Sequence, residues 1–218
     1  MRHNPDYALT DPGTVKALIR GNPWCTFVSH VPGRGVVASH YPAILEESPP
    51  GGADDGIVLL SHVGRPDEAA HELGRHELLA IVQGPHGYIS PGWYRRGAAV
   101  PTWNFTVVHA YGTPELLGDE ENLAVLDRLV DHFELRLPEP FRLNGPPGNS
   151  AYARSIVRGT VGFRLRVTRF EAKQKMSQDE PADVVERVIH ALTQPGPYRN
   201  PRLARYMSLI HGLNLQDA

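Results

Sequence analysis

The chain has 218 residues, 41% of them apolar, and a formal charge of -2 at neutral pH. This balance offers no basic face to neutralise phosphates, so we expect no direct binding to nucleic acid. No run has the length and apolarity of a membrane span, the N-terminus lacks an apolar signal core, and Cys25 has no second cysteine to pair with. We therefore expect a cytoplasmic protein that does not enter a membrane.

The length and the lack of a long linker predict a single domain over residues 1–218 that ends in C-terminal helices. The 21 glycines and 20 prolines indicate many turns between short strands. A composition of this kind favours an all-β or α+β architecture.

The first third of the chain reads as one helix followed by strands. Asp11-Pro12 is a helix start, because a capping side chain precedes a proline that suits the first turn, and Gly21 to Pro23 ends the helix. Residues 24–30 and 35–45 are rich in β-formers and predict a hairpin with its turn at 31–34. Residues 48–56 read as a surface loop.

A strand-to-helix turn follows at residues 57–68. Residues 57–62 form an unbroken apolar run that ends at His62, which predicts a strand buried on both faces. Pro66 followed by two acids predicts a helix start, since acids complement the positive end of the helix dipole. His62 and Arg65 are therefore predicted to lie in the turn between the two elements.

The remaining elements are predicted from the spacing of apolar residues and from the positions of glycine and proline. We predict further strands, a central amphipathic helix at 120–136 and a loop at 142–150. The alternation of apolar and polar residues changes at 168–170, which predicts a bulge. Two helices near the C-terminus complete the prediction. The predicted strands lie at 78–84, 86–90, 102–113 and 161–173, and the closing helices at 184–192 and 200–212. About six strands with peripheral helices suggest a closed or partly split antiparallel barrel.

Three long segments resemble one family. GPHGYISPGWY at 84–94, VPTWNFTVVHAYG at 100–112 and KQKMSQ at 173–178 are similar to the signature segments of the PaiB-like proteins, named FMN-binding negative transcriptional regulators. The resemblance implies a mainly β chain with peripheral helices, folded as a flavin-reductase-like split β-barrel that forms a homodimer.

The same resemblance takes in the piperazate synthases. These use haem b to close the N–N bond of piperazic acid from N5-hydroxy-L-ornithine, a small amino-acid substrate. The chain has HVGRPDE at 62–68 where the regulators usually have HxARANP, and Asp179 where they usually have Asn. Because the first departure falls on the turn around His62, we favour the haem-dependent cyclase.

In that interpretation His62 is the axial ligand of the haem iron, with His40 as the alternative, since neutral imidazole is a standard haem ligand. Arg65 would pair with a haem propionate, or with an FMN phosphate if the cofactor is flavin. The other predicted cofactor-binding residues are Trp93, Tyr94, Trp103 and Lys175. Lys173 or His109 is predicted to be the catalytic base.

Two other functions stay open. An FMN-binding oxidoreductase would hold flavin through Arg65 and Lys173, and a regulator without catalytic activity would act through a partner protein. The structural alternative is that His62 and Arg65 only complete the turn and that the aromatic residues only pack the core. HELGRH at 71–76 lacks the spacing of a zinc protease motif, because its two histidines are five residues apart.

Overall fold

The computed structural model describes residues 1, 4–47, 56–145 and 147–213, so most of the loop predicted at 48–56 lies outside the described residues. The chain forms two compact units. The smaller unit combines residues 1–10, 83–107 and 171–218, and the larger unit combines 11–82 and 108–170. The prediction of a single domain stays a prediction.

Six α-helices lie within the described residues. They are α1 (Pro12–Gly21), α2 (Arg65–His71), α3 (Asp119–Glu134), α4 (Pro147–Ile156), α5 (Ala182–Thr193) and α6 (Pro201–Ile210). The same part of the chain contains nine strands. They are β1 (Ala8–Leu9), β2 (Trp24–Val31), β3 (Gly35–Leu45), β4 (Val58–Gly64), β5 (Leu78–Ile89), β6 (Thr102–Gly112), β7 (Glu115–Leu116), β8 (Thr160–Arg166) and β9 (Arg169–Lys175). The predicted fold class, mainly β with peripheral helices, is confirmed.

The larger unit is built on antiparallel pairs in the order β5-β2-β3-β4-β8-β7. The predicted hairpin is present, with Val31 opposite Gly35 in the register of β2 and β3. Gly33 and Gly35 have positive φ values of 77° and 90°, which a turn this tight requires and which glycine adopts without steric cost. In the next pairs β4 lies between β3 and β8, so that His62 is opposite Gly162.

Helix α3 packs on the sheet of this unit through a buried cluster of Ile44, Leu60, Val125 and Leu129. Burial of one such side chain stabilises the fold by about 1.5–3 kcal/mol. Gly162 lets the helix come close, because a Cβ at that position would lie 2.7 Å from Oδ1 of Asn122.

The smaller unit has the strand order β1-β9-β6-β5. Helices α5 and α6 share a buried core cluster that includes Val185, Val188 and Leu203. The predicted start of α6 is confirmed, since the Asn200 side chain accepts a hydrogen bond from the Leu203 backbone N–H at 3.1 Å.

Three predictions of elements were wrong. Helix α4 begins at Pro147 in the segment predicted as loop, because proline suits the first turn of a helix as well as a loop. Residues 78–84 and 86–90 belong to one strand, β5. The predicted bulge is the end of β8, where the Thr168 backbone N–H bonds to the Tyr111 carbonyl at 2.9 Å before β9 begins. None of the helices in the described ranges is long and apolar enough to cross a membrane.

Candidate functional site

A cavity of about 660 Å³ lies in the larger unit, within the usual size range of cofactor pockets. Helices α3 and α4 supply most of its wall, which is strongly apolar. The wall includes Leu126, Leu129, Val130, Phe133, Leu143 and Ile156. A cavity of this size and apolarity suits a large apolar ligand.

His62 lies in the wall of this cavity. The prediction that His62 lies in a turn was wrong, because β4 continues to Gly64. His62 lies within β4 after four buried residues, so its backbone is held by a paired strand. Its Nδ1 is buried and has no hydrogen-bond partner among the described residues, an arrangement that calls for a physical explanation because buried polar atoms are normally paired. Burial lowers the pKa of His62, which keeps the ring neutral and therefore able to bind a metal ion.

Tyr41 packs edge-on against the His62 ring, with the ring centroids 5.6 Å apart. The Tyr41 hydroxyl donates a hydrogen bond to the Asp67 carboxylate and accepts one from the Gly64 backbone N–H at 3.1 Å. These contacts fix Tyr41 to the turn before α2, and Tyr41 in turn limits the orientations open to His62.

Polar side chains missed by the sequence analysis also line the cavity, among them Glu134 at the end of α3 and Asn149 in α4. Oε2 of Glu134 accepts a hydrogen bond from the Phe141 backbone N–H at 2.9 Å. Glutamate at a helix end usually faces solvent, and helix α4 was not predicted, so no sequence signal pointed to either residue.

Arg65 and the two other histidines considered in the sequence analysis do not line the cavity. The Arg65 guanidinium bonds to Glu68 at 3.2 Å and to the Arg158 carbonyl at 3.1 Å. His40 is exposed, and its Nδ1 lies 3.0 Å from the Thr26 hydroxyl, so it is a poorer candidate than His62 for an axial ligand. His109 is half-buried on β6.

The predicted aromatic residues belong to the smaller unit, where their environments differ. Trp93 lines a groove beside α5, and Tyr94 is buried, which raises the pKa of its hydroxyl. Trp103 is 54% exposed and contacts Tyr88 edge-on at 6.3 Å. Only Tyr94 of the three therefore has a buried side chain.

Lys175 lines a polar pocket of about 260 Å³ in the same unit, together with Arg96, Asp179 and Glu180. The Lys175 ammonium donates a hydrogen bond to the Thr102 hydroxyl, and Arg96 forms an ion pair with Glu180. The pocket thus provides internal partners for much of its own charge. Lys173 lies two residues before Lys175 on β9, opposite Ala8 of β1.

The histidines of the 71–76 segment have local roles. The two ring nitrogens of His71, which is buried, lie 2.8 Å from the Ser29 hydroxyl and 3.1 Å from the Ser39 hydroxyl. His76 pairs with Glu72 at 2.9 Å. Within the described residues no group of three or more His, Cys, Asp or Glu could hold a metal ion.

The apolar walls of the cavity suit the ring of haem, and His62 adds a neutral imidazole with an unpartnered nitrogen that could bind the iron. The described lining has no cationic side chain for a haem propionate or an FMN phosphate, and the full charge that it contributes is the negative charge of Glu134.

Comparison with protein families identifies the family of this chain. Residues 1–169 match the model of the family described as "Putative FMN-binding domain". The chain belongs to this family.

Relatives and solved structures agree with this assignment. The chain is 28% identical to the protease synthase and sporulation protein PAI 2 of Bacillus subtilis, over 85% of this chain and 86% of that protein. It is 34% identical to the uncharacterized protein YKL070W of Saccharomyces cerevisiae, over 50% of this chain and 66% of that protein. The PaiB-like resemblance is thereby confirmed.

The fold is similar to that of the FAD and heme binding protein from Mycobacterium smegmatis, with a TM-score of 0.57 and 17% identity over 82% of this chain and 78% of that one. It is also similar to the flavocytochrome Anf3 from Azotobacter vinelandii, with a TM-score of 0.54 and 17% identity over 77% and 69% of the two chains. The predicted split-barrel fold is confirmed.

Proposed function

We propose that the protein is a haem-dependent enzyme that converts N5-hydroxy-L-ornithine into piperazic acid, with His62 as the axial ligand of haem b. The observation that carries this proposal is the unpartnered Nδ1 of His62 in the wall of an apolar cavity of about 660 Å³. An imidazole held in this way supplies the one protein ligand that haem requires.

Structural neighbours support haem as a cofactor of this fold. One is named as an FAD and heme binding protein, and another is named as a flavocytochrome. At 17% identity these neighbours bear on the fold alone, so the choice of cofactor for this chain rests on His62 and on the cavity.

The residues of the cavity have distinct tasks in the reaction. His62 holds the cofactor, and Tyr41 limits the rotation of the His62 ring. The apolar side chains of α3 and α4 would surround the cofactor, and their low polarity strengthens electrostatic contacts inside the cavity. When bound, haem iron supplies a Lewis acid that weakens the N–O bond of the substrate. The substrate must also lose a proton from its α-ammonium group before the amine can attack N5.

A second candidate function is an FMN-binding oxidoreductase, which the family match favours. The flavin-binding residues predicted from the sequence for that function are Arg65 and Lys173. For either function we propose a homodimer, which light scattering of the purified protein would test.

The test of the proposed activity is an assay of the haem-loaded protein with N5-hydroxy-L-ornithine. We expect one piperazic acid to form for each N5-hydroxy-L-ornithine consumed, both measured by mass spectrometry, without an added oxidant or reductant. Free haemin and the FMN-treated protein are the controls. Turnover equal to that of free haemin would contradict the proposal.

A further inference from the structure

The lining of the apolar cavity contains one carboxylate. Glu134 is the last residue of α3 and lies among apolar residues that include Leu126 and Val130. The hydrogen bond from the Phe141 backbone N–H holds one of its oxygens. The described lining contains no Lys or Arg, so the carboxylate has no basic partner there.

The position of Glu134 strengthens its attraction for a cation. The C-terminal end of a helix carries partial negative charge because its peptide dipoles are aligned, and the carboxylate adds a full charge at the same end. Because the surrounding wall is apolar, an ion pair formed here is screened less than one in water.

We propose that Glu134 binds the α-ammonium group of the substrate and accepts a proton from it. This inference rests on the proposed function, and it names the general base of the reaction. N-Hydroxylation makes N5 much less basic, so the α-ammonium group carries the positive charge of the substrate at neutral pH. Cyclisation requires the α-ammonium group to lose a proton.

The proton and electron balance of the step is complete. The α-ammonium group gives one proton to Glu134, and the lone pair of the resulting amine forms the N–N bond. The N5–O bond breaks, and its electron pair leaves with oxygen. The new ring nitrogen releases a second proton, and the leaving hydroxide takes up a proton to become water. The substrate loses one water, and no external oxidant or reductant is needed.

The bases predicted from sequence are less well placed for this step. His109 is absent from the described lining of the cavity, and Lys173 belongs to the smaller unit. Lysine is also protonated at neutral pH unless its environment lowers its pKa, whereas an ionised carboxylate can accept a proton directly.

The test compares Glu134→Gln with Glu139→Gln. The side-chain oxygen of glutamine can still accept the hydrogen bond from the Phe141 N–H, so the contact between residues 134 and 141 is kept. Glu139 is exposed and outside the cavity lining, so it controls for loss of one surface charge. The probes are L-norvaline, which has the α-ammonium and carboxylate of the substrate on the same five-carbon chain, and pentanoate, which lacks the ammonium.

Calorimetric titration of haem-loaded and haem-free protein measures the dissociation constants of both probes. We expect Glu134→Gln to weaken L-norvaline binding roughly 10- to 100-fold, the loss typical of a hydrogen bond to a charged group, and not to weaken pentanoate binding. Glu139→Gln should bind both probes as the wild type does. The turnover deficit of Glu134→Gln should shrink as the pH rises, because the α-amine then loses its proton to solvent.

Unchanged L-norvaline binding in Glu134→Gln, or a turnover deficit that stays constant with pH, would overturn the role of Glu134. A Soret band lost in Glu134→Gln but kept in Glu139→Gln would also overturn it, because the residue would then act on the haem site itself. If the wild type forms no Soret band, the proposed function fails, and binding to the haem-free protein still decides the role of Glu134.

Discussion

The cavity of the larger unit and the polar pocket of the smaller unit differ in how their polar atoms are paired. In the cavity, the His62 imidazole has a buried nitrogen without a partner among the described residues, and the wall is apolar. In the pocket, Lys175 bonds to Thr102 and Arg96 pairs with Glu180.

This difference shows which of the two sites gains more from a bound ligand. An unpaired polar atom in apolar surroundings is destabilising, and a metal ion or donor that occupies the site removes that cost. A pocket whose charges bond to each other gains less from a ligand, because binding must first break existing contacts. We therefore expect the main cofactor site to be the cavity.

The largest expected effect comes from removing the imidazole of the cavity. His62→Ala should abolish haem retention while the protein stays folded, because no other described histidine lines the cavity. The measurement is the Soret band after addition of haemin and gel filtration. His40→Ala is the matched control and should retain haem, as should Lys175→Ala in the smaller unit. A normal Soret band in His62→Ala would assign the ligand elsewhere.

A smaller effect should follow from a methyl group placed between β8 and α3. Gly162→Ala puts a Cβ 2.7 Å from Oδ1 and 3.0 Å from Cα of Asn122, which should lower the free energy of unfolding by about 1–3 kcal/mol and weaken haem binding. Urea unfolding measures the change. Gly159→Ala is the control, since no atom lies within 4 Å of the added Cβ.

Gly87→Ala gives the matching change in the smaller unit. Its Cβ would meet the side-chain ends of Leu203 and Asn200, at 2.9 and 3.0 Å, which can move more easily than backbone. It should cost less stability than Gly162→Ala and leave haem binding unchanged. Equal loss of haem in Gly87→Ala and Gly162→Ala would contradict the assignment of the haem site to the cavity of the larger unit.

Tyr41→Phe should have a still smaller effect. Phenylalanine keeps the ring beside His62 but removes the hydroxyl that bonds to Asp67 and to the Gly64 N–H. We expect a loss of about 1 kcal/mol in the free energy of unfolding, measured in urea, with the Soret band retained. Loss of haem in this variant would show that the hydroxyl, and not the ring, positions His62.

The smallest expected effect is a change in the pH dependence of stability at His71. Burial lowers the pKa of His71 in the folded protein, so the unfolded chain binds more protons as the pH falls below about 6.5, the ordinary pKa of histidine. The histidine therefore contributes a loss of stability from that pH downward, until the folded state is protonated as well.

His71→Gln should reduce this loss, measured as the difference in unfolding free energy between neutral and mildly acidic solution. His40→Gln, at an exposed site, is the control and should leave the loss as in the wild type. If His71→Gln loses as much unfolding free energy as the wild type between neutral and mildly acidic solution, His71 is not the source of that loss.

Local signals in the sequence were sufficient to predict much of the fold. The cap at Asp11, the hairpin turn at 31–34 and the proline after Arg65 each have one favoured local structure, and all three are present. The segment around Pro147 has no such single solution, because proline and glycine suit a helix start as well as a loop. Strand β5 was divided in error because Gly84-Pro85 resembles a turn.

The site was less accessible to prediction. His62 was found because it follows a buried strand and precedes a helix start. The spacing of Leu126, Leu129, Val130 and Phe133 predicted an amphipathic helix correctly, but periodicity does not show whether an apolar face is packed or lines a cavity. The role of Glu134 depends on the fold of α4, which the sequence analysis read as loop.

The most direct test of the central claim is a side-by-side titration of the purified wild-type protein with haemin and with FMN, followed by visible absorption. We expect a sharp Soret band at one haem per chain and no stable flavin spectrum. A flavin spectrum without a Soret band would contradict the haem assignment and identify the protein as a flavin-binding member of its family.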